Sequence, residues 1–416
     1  MLLLAASLAA VTVGLVEKAR VPVEKARVPV EKARVPPAAA RADAATTLLR
    51  TLQHRLLTGS RAQVVALAAP AAGPGSPPSA AALATLHHNA RALRVTGLSL
   101  HYLGEDRALT TRQRRALSNT GWVGDVRLRW QLGGLDRRTG TTTVAVGFHT
   151  QHGRTSFVSA GPVEGRAAPL WLLGPVSVRR TATSLVVAAG GQPASTFARL
   201  ASHAVRDVRR VLPRWRGPLI VEVPGNQGSL DRVLGATSGT YGGIAAVTAT
   251  ADGSTDPRAP VHVFVNPRVF GRLGRHGSQI VISHEATHVA TGAALSTMPT
   301  WLLEGFADYV ALVHADLPVR VAAAEILARV RRHGAPVRLP GPAQFAARNP
   351  ALGASYESAW LACRLLAHEY GERRLVAFYR ASARASSTTR AFRTVLGTDQ
   401  STFTRAWRAD LRRLSR

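Results

Sequence analysis

One short motif, H-E-x-x-H, constrains the fold of this chain more than any other feature of its sequence. It comprises His284, Glu285 and His288 within the helix-forming run SQIVISHEATHVATG at 278–292. Residues four apart project from one helical face, so both imidazoles can hold a single Zn²⁺ ion. Glu285 lies one helical step aside, where it can take a proton from a water molecule instead of ligating the metal. The alternative interpretation is an ordinary helix with a charged, solvated face.

A second helix is predicted shortly after the motif, and it offers a third metal ligand. Glu304 lies in the apolar run PTWLLEGFADYVAL at 299–312, in which Gly305 permits close approach to a neighbouring helix. Asp308 follows Glu304 by four residues and shares its face. One carboxylate can therefore ligate zinc while the other orients a ligand histidine. A Glu/Asp pair on an isolated helix is usually solvated, but the apolar setting and the nearby motif favour a metal site.

At these residues the chain resembles a known family. HEATH followed by WLLEGFADY is similar to the gluzincin metallopeptidases, especially the peptidase MA-like domains related to the aminopeptidase N catalytic domain. The resemblance covers about 195–416. It implies three zinc ligands, which are His284, His288 and Glu304. It also implies that Glu285 is the general base and that Asp308 supports a ligand histidine.

Tyr356, at the start of the predicted helix SYESAWLACRLLAHEYG, is a further catalytic candidate. In the family, a tyrosine in the corresponding region can donate a hydrogen bond to the tetrahedral oxyanion; a half-buried core tyrosine is the alternative. Two features depart from the aminopeptidase N pattern. The 15 residues between His288 and Glu304 are a few fewer, and no G-x-M-E-N segment for a substrate amino terminus is present. The resemblance therefore implies endopeptidase rather than aminopeptidase activity.

The sequence predicts an α+β fold. Two helices, one over 43–68 and one ending near Arg94, precede stretches of alternating apolar residues. These stretches predict strands at 95–103, 123–132, 141–150, 154–160 and 175–189. Helices followed by a curved antiparallel sheet are similar in architecture to the cone-shaped nuclear-transport-factor-like domains.

The second half of the chain has a different pattern. A basic amphipathic helix is predicted over 196–213, followed by apolar runs at 218–223, 243–249 and 261–267. The resemblance implies a zincin-like domain with a mixed sheet and a helical C-terminal part. In that family the edge strand of the sheet usually pairs with an extended substrate.

The chain is predicted to have three parts. Residues 1–42 contain the apolar run MLLLAASLAAVTVGLV and three VEKARVP repeats, in which proline blocks a continuous helix. This part is predicted to be a signal peptide, or a membrane anchor with the repeat as a spacer. Residues 43–194 are predicted to form an α+β domain without an assigned function, and 195–416 the catalytic domain. The expected location is extracytoplasmic, either secreted or anchored through the apolar segment.

The number and distribution of charged residues indicate which macromolecular partners are expected. The chain has 53 basic and 24 acidic residues and a net charge of +29. Its arginines are scattered rather than clustered with aromatic residues, so we expect no nucleic-acid partner; association with an acidic cell envelope is favoured over it. Cys363 is the single cysteine, which excludes an intramolecular disulfide and predicts a buried thiol.

These features predict a zinc metallopeptidase that acts on a peptide or protein substrate. The alternative is an exported zinc-binding scaffold or envelope-binding protein in which cleavage has no physiological role. The intact Glu285 and the three-ligand set favour the enzyme, because structural zinc sites usually close with four protein ligands.

Overall fold

The computed structural model describes residues 37–70, 79–105, 121–346, 349–385 and 387–416. Over these residues the protein is α+β, as the sequence predicts, with a four-stranded antiparallel sheet and a five-stranded mixed sheet. Contacts divide the chain into two compact units. The smaller unit contains the described residues before 131 together with Thr143–Val163, and the larger contains Gln131–Thr142 and Glu164–Arg416.

The four-stranded sheet has the strand order β1-β2-β3-β4. Its strands are β1 (Val95–Glu105), β2 (Gly121–Leu132), β3 (Gly140–Gln151) and β4 (Arg154–Pro162). The helices that precede it are α1 (Ala38–Thr58), α2 (Arg61–Val65) and α3 (Ser79–Ala92). These bounds agree with the predicted strands to within about two residues, but the similarity to nuclear-transport-factor-like domains stays a prediction.

The helix predicted over 43–68 is interrupted at Gly59. Its apolar residues Leu48, Leu49 and Leu52 are buried, as their helical spacing predicts. The helix ends because Ser60 starts a new one: its hydroxyl accepts the Gln63 N–H at 3.3 Å, and the Gln63 side chain accepts the Ser60 N–H at 2.8 Å. This reciprocal capping box satisfies amides that a continuous helix would have bonded internally.

The larger unit contains the five-stranded sheet and most of the helices. Its strands are β5 (Val176–Arg180), β6 (Ser184–Ala189), β7 (Leu219–Val223), β8 (Ala246–Thr250) and β9 (Val261–Val265). Its helices before the C-terminal part are α4 (Ala194–Val211), α5 (Gln227–Val233), α6 (Pro267–Phe270), α7 (Arg275–Thr291) and α8 (Thr300–Leu312). The remaining helices are α9 (Val319–Ala322), α10 (Ala324–His333), α11 (Leu352–Tyr370), α12 (Glu372–Ala385), α13 (Thr389–Leu396) and α14 (Gln400–Ser415).

The strand order in this sheet is β5-β6-β7-β9-β8. Strands β6, β7 and β9 are parallel, whereas β5 and β8 run antiparallel to their neighbours at the two ends. The single strand predicted over 175–189 is a hairpin, because the Thr181 hydroxyl accepts the Ser184 N–H at 2.9 Å and turns the chain. Both of its strands belong to this sheet rather than to the four-stranded one.

Helix α7 is held against α4 by partly buried polar contacts. The Ser283 hydroxyl donates to Asp207 Oδ2 at 2.7 Å, and the Gln279 amide donates to the Leu200 carbonyl oxygen at 3.2 Å. Buried polar groups are stable only when they are hydrogen-bonded. These contacts therefore fix the rotation of α7 about its axis, which determines the direction in which the motif histidines project.

Gly305 brings α8 into direct contact with α11. A Cβ atom at this position would lie 2.3 Å from the Ala359 carbonyl oxygen and 3.1 Å from the Cys363 sulfur. The two backbones thus meet without a side chain between them, as the sequence predicts for Gly305. Cys363 is a buried free thiol, also as predicted.

We expect Gly305→Ala to destabilise the protein by about 1–3 kcal/mol, because the new methyl group overlaps the α11 backbone. Denaturant unfolding measures this change in the free energy of unfolding. Gly228→Ala in α5 is the matched control, since its Cβ would meet its nearest atom at 3.7 Å; we expect that variant to be unchanged or slightly more stable. Equal effects of the two substitutions would contradict the packing argument.

A buried histidine links the turn between β2 and β3 to the five-stranded sheet. His262 Nδ1 lies 2.7 Å from Glu222 Oε1, and its Nε2 lies 3.0 Å from Asp136 Oδ1. Burial by itself lowers the pKa of His262, but the two carboxylates outweigh it and raise this pKa to about 10. The imidazolium therefore joins two carboxylates that would otherwise be buried without a cation.

The contacts of His262 with Glu222 and Asp136, here called the histidine clamp, make a pH-dependent contribution to the stability of the folded protein. The folded pKa of His262 is about 10 and its ordinary value is 6.5, so the contribution is complete below the ordinary value and is lost as the pH rises through the folded one. We expect His262→Gln to lower the free energy of unfolding by about 3 kcal/mol at about pH 7, and by less at about pH 10. Denaturant unfolding of the wild type and of His262→Gln between about pH 7 and about pH 10 measures this difference in the free energy of unfolding. A difference that is constant with pH would contradict a charged clamp.

No helix in the described part of the chain is long and apolar enough to cross a membrane. The apolar run and the repeat within 1–36, on which the signal peptide or anchor was predicted, lie outside the described residues. The prediction of an extracytoplasmic protein that is secreted or anchored through that run is wrong. No N-terminal apolar anchor is supported.

Candidate metal centre

Two helices supply the side chains of the candidate metal centre. His284 and His288 project from α7, which ends at Gly292 in a left-handed conformation with φ of 70°. Glu304 and Asp308 project from α8 across the short connection that follows. Glycine adopts positive φ without strain, so the chain can turn sharply there and bring α8 back against α7.

The three predicted ligand side chains converge. The Nε2 atoms of His284 and His288 are 2.9 Å apart, and Glu304 Oε2 lies 3.1 Å from the first and 3.3 Å from the second. Zinc ligands about 2.0–2.2 Å from a tetrahedral ion lie about 3.3–3.6 Å from one another. The spacing of these three atoms is thus comparable with that of ligands around one metal ion, and the group could hold one.

The burial of the three side chains also favours a bound metal ion. His284, His288 and Glu304 are each at most 1% exposed. Glu304 Oε1 and His288 Nδ1 have no hydrogen-bond partner in the described structure. Polar atoms buried without a partner are costly, so such a cluster needs another group to compensate it. A cation bound by the converging nitrogen and oxygen atoms would compensate the carboxylate.

Electrostatics within the group favour positive charge. Burial opposes ionisation of Glu304, but the neighbouring His288 and His284 lower its pKa to about 2. Burial likewise opposes protonation of His284, yet Asp308 and Glu304 raise its pKa well above the ordinary value. The site thus stabilises an ionised Glu304 and a cation beside it, which is the charge pattern that a metal ion requires.

Asp308 holds one of the two histidines in a fixed orientation. His284 Nδ1 donates to Asp308 Oδ1 at 2.7 Å, and both side chains are buried. With the proton on Nδ1, the Nε2 lone pair is free to ligate a metal ion. Asp308 therefore lies where the sequence predicts a supporting carboxylate.

Glu285 lies beside the ligand group but is not one of its members. Its Oε2 atom accepts a hydrogen bond from the Thr248 hydroxyl at 2.7 Å, whereas Oε1 is buried without a partner among the described residues. Burial raises the pKa of Glu285 above its ordinary value. A carboxylate with one fixed and one free oxygen, and with a raised pKa, is suited to accept and return a proton.

Thr248 was not among the residues predicted from the sequence. It lies on β8, in the apolar run at 243–249 that the sequence predicts as part of a sheet. No spacing within that run distinguishes Thr248, because its contact with Glu285 depends on the packing of β8 against α7.

Tyr356 is brought next to the same site. Its side chain is 1% exposed, its ring centroid is 6.1 Å from that of His284, and its hydroxyl has no partner in the described structure. Burial, together with the charges of Glu304, Asp308 and Glu285, raises its pKa well above the ordinary value. The phenol therefore stays protonated and can donate a hydrogen bond.

Comparison with protein-family models, curated proteins and solved structures finds no match to this chain. The interpretation of the site therefore rests on its residues and their geometry.

Measuring zinc binding by single-site variants distinguishes residues that ligate the metal from residues that only lie beside the ligands. With Zn²⁺ as the probe, we expect one ion per chain in the wild type and loss of tight binding in His288→Ala, which removes a ligand atom. Asp308→Asn should weaken binding about 10–100-fold, because it acts only through His284. Glu285→Gln should leave binding unchanged. Elemental analysis and competition with a chromophoric chelator measure these effects; tight binding by His288→Ala would exclude this site.

Proposed function

We propose that the chain is a zinc-dependent metallopeptidase of the gluzincin type that hydrolyses internal peptide bonds. The observation that carries this proposal is the buried group of His284, His288 and Glu304 with Glu285 beside it. Structural zinc sites usually have four protein ligands, whereas catalytic sites use three and leave one position for water or substrate. Three ligands converge among the described residues, and a proton-accepting carboxylate adjoins them, which favours hydrolysis.

Zinc is the metal that suits this donor set best. Two imidazoles and one carboxylate are ligands of hydrolytic zinc enzymes, whereas magnesium and calcium prefer oxygen atoms alone. When bound, the metal supplies Lewis acidity that polarises the scissile carbonyl and activates a water molecule. Asp308 contributes by keeping His284 in the tautomer that can ligate.

Glu285 is the proton carrier in this proposal. Its free Oε1 accepts a proton from the attacking water, and the same carboxyl then delivers that proton to the nitrogen of the leaving amine. Thr248 holds Oε2 at 2.7 Å and so restrains the rotation of the carboxylate. The pKa of Glu285, raised by burial, favours the protonated form that must exist between the two transfers.

Tyr356 is the oxyanion donor. Its buried hydroxyl makes no other hydrogen bond in the described structure and keeps its proton, so it can donate to the negative oxygen that forms as the carbonyl is attacked. A donor placed before the reaction stabilises the transition state without reorganisation, and a single such donor is worth about 10²–10³-fold in rate.

The edge of the five-stranded sheet offers a place for the substrate. Strand β8 is the last strand in the sheet order and pairs on one side with β9. An extended peptide can add to such an edge by main-chain hydrogen bonds. Thr248 lies on β8 and contacts Glu285, so a peptide bound along this strand would run close to the proposed base. Binding along a strand does not require the terminus of the substrate peptide, so it is consistent with an endopeptidase.

Cleavage of a mixed peptide library by the zinc-loaded protein tests the proposal. We expect cleavage by the wild type, internal cut sites, and loss of activity on chelation. Glu285→Gln should lower kcat by about 10²–10⁴-fold with zinc retained, and Tyr356→Phe by about 10²-fold with little change in KM. Mass spectrometry of the products gives the rates and the cut sites.

Equal cleavage by the wild type and Glu285→Gln would contradict the proposed base. The complete burial of the ligands favours a second candidate, a zinc-binding scaffold without cleavage. A folded wild type that retains zinc and cleaves no peptide would support that candidate instead.

A further inference from the structure

The larger unit contains a cavity of about 670 Å³ that is lined by none of the metal ligands, although its lining residue Val289 directly follows His288 in the chain. Five segments form its walls: the turn between β2 and β3, the connection between α4 and β7, the residues 259–261 at the start of β9, the end of α7 and one face of α12. A volume of this order is typical of sites that enclose a small organic ligand.

The charge of the cavity wall is unusually one-sided. Six arginines line it, which are Arg137, Arg138, Arg214, Arg216, Arg380 and Arg384. Asp136 is the single acidic residue among the lining residues, and both of its carboxylate oxygens are already engaged. Oδ1 contacts His262 at 3.0 Å, and Oδ2 accepts the Leu132 N–H at 3.0 Å. Asp136 therefore does not neutralise the arginines.

Over the described residues none of the six arginines forms an ion pair. Arg138 and Arg216 donate to backbone carbonyls. Arg258 and, to a smaller extent, Arg138 lower the pKa of the nearby Asp256 carboxyl, so Arg138 has an acidic neighbour of this kind. Arg380 and Arg384 lie one turn apart on the same face of α12, where like charges repel each other. A concave wall with charges of one sign concentrates its field, so an anion entering the cavity would relieve this repulsion.

Apolar residues also line the cavity. Val289 and Ala290, from the end of α7, and Val376, from α12, line it together with Trp215 and the buried Tyr379. A simple inorganic anion would leave this surface uncovered. The combination of arginines and apolar residues in one lining fits a ligand that carries charge on an organic body.

We propose that this cavity binds an organic polyanion, a small molecule with two or more phosphate or carboxylate groups on an apolar body. The planar guanidinium group donates two parallel hydrogen bonds to such oxyanions. Six exposed arginines that line one open cavity can engage several anionic groups at once. The site is separate from the proposed peptidase chemistry and does not depend on it.

Binding of naphthalenetrisulfonate to the zinc-loaded full chain tests this site. Its sulfonates stand in for phosphate or carboxylate oxygens and do not strip zinc, and naphthalenemonosulfonate and inorganic sulfate are the controls. Calorimetry at constant ionic strength should give one saturable site for the trisulfonate and binding at least about tenfold weaker for both controls. Competition by an organic bisphosphate and an organic tricarboxylate then distinguishes the two oxyanions.

Matched double variants separate the cavity from the general positive charge of the chain. Arg380→Gln with Arg384→Gln should weaken trisulfonate binding about tenfold or more. Arg373→Gln with Arg374→Gln removes the same charge from exposed positions of the same helix that do not line the cavity, and should change binding less than about twofold. If the first pair does not fold, Arg137→Gln with Arg214→Gln tests two other segments of the lining.

Two results would overturn the proposal. One is the absence of saturable binding by the wild type. The other is equal weakening by the cavity pair and the control pair, which would assign binding to net charge alone. Tight binding of a single-stranded oligonucleotide that both pairs weaken equally would indicate an extended nucleic-acid surface in place of this cavity.

Discussion

The packing of α7 against α8 is the constraint on which the candidate metal centre depends. Three carboxylates and two imidazoles are buried there within one small volume. Buried charges are stable only if their partners are close and correctly oriented. The contact of Asp308 with His284 across the two helices provides this orientation. Gly305 lets α8 lie directly on α11, so the position of Glu304 is fixed by backbone contact rather than by a flexible side chain.

The parts of the site that local geometry determines could be predicted from the sequence. The four-residue spacing of His284 and His288 fixes a common helical face whatever the rest of the fold does. Glu304 and Asp308 were predicted for the same reason, with the apolar run around them indicating burial. The structure places all four side chains in one cluster, in the arrangement that these spacings predict.

The remaining features depend on contacts between distant segments. Thr248 reaches Glu285 only because β8 packs beside α7, and no local pattern marks it. The hairpin at Thr181 and the break at Gly59 depend on single side-chain hydrogen bonds, which apolar periodicity does not record. The arginine-lined cavity was also missed. Its arginines come from three separate parts of the chain, so they look scattered in the sequence and meet only in the fold.

The burial of the metal ligands has a consequence for the kinetics of the proposed enzyme. Side chains that are at most 1% exposed cannot meet a peptide until a neighbouring segment moves aside. The apparent substrate affinity is then the intrinsic affinity multiplied by the fraction of molecules that are open, so about 1% open molecules would weaken it about 100-fold. The proposed enzyme would then be latent, and it would act mainly on those substrates whose binding stabilises the open form.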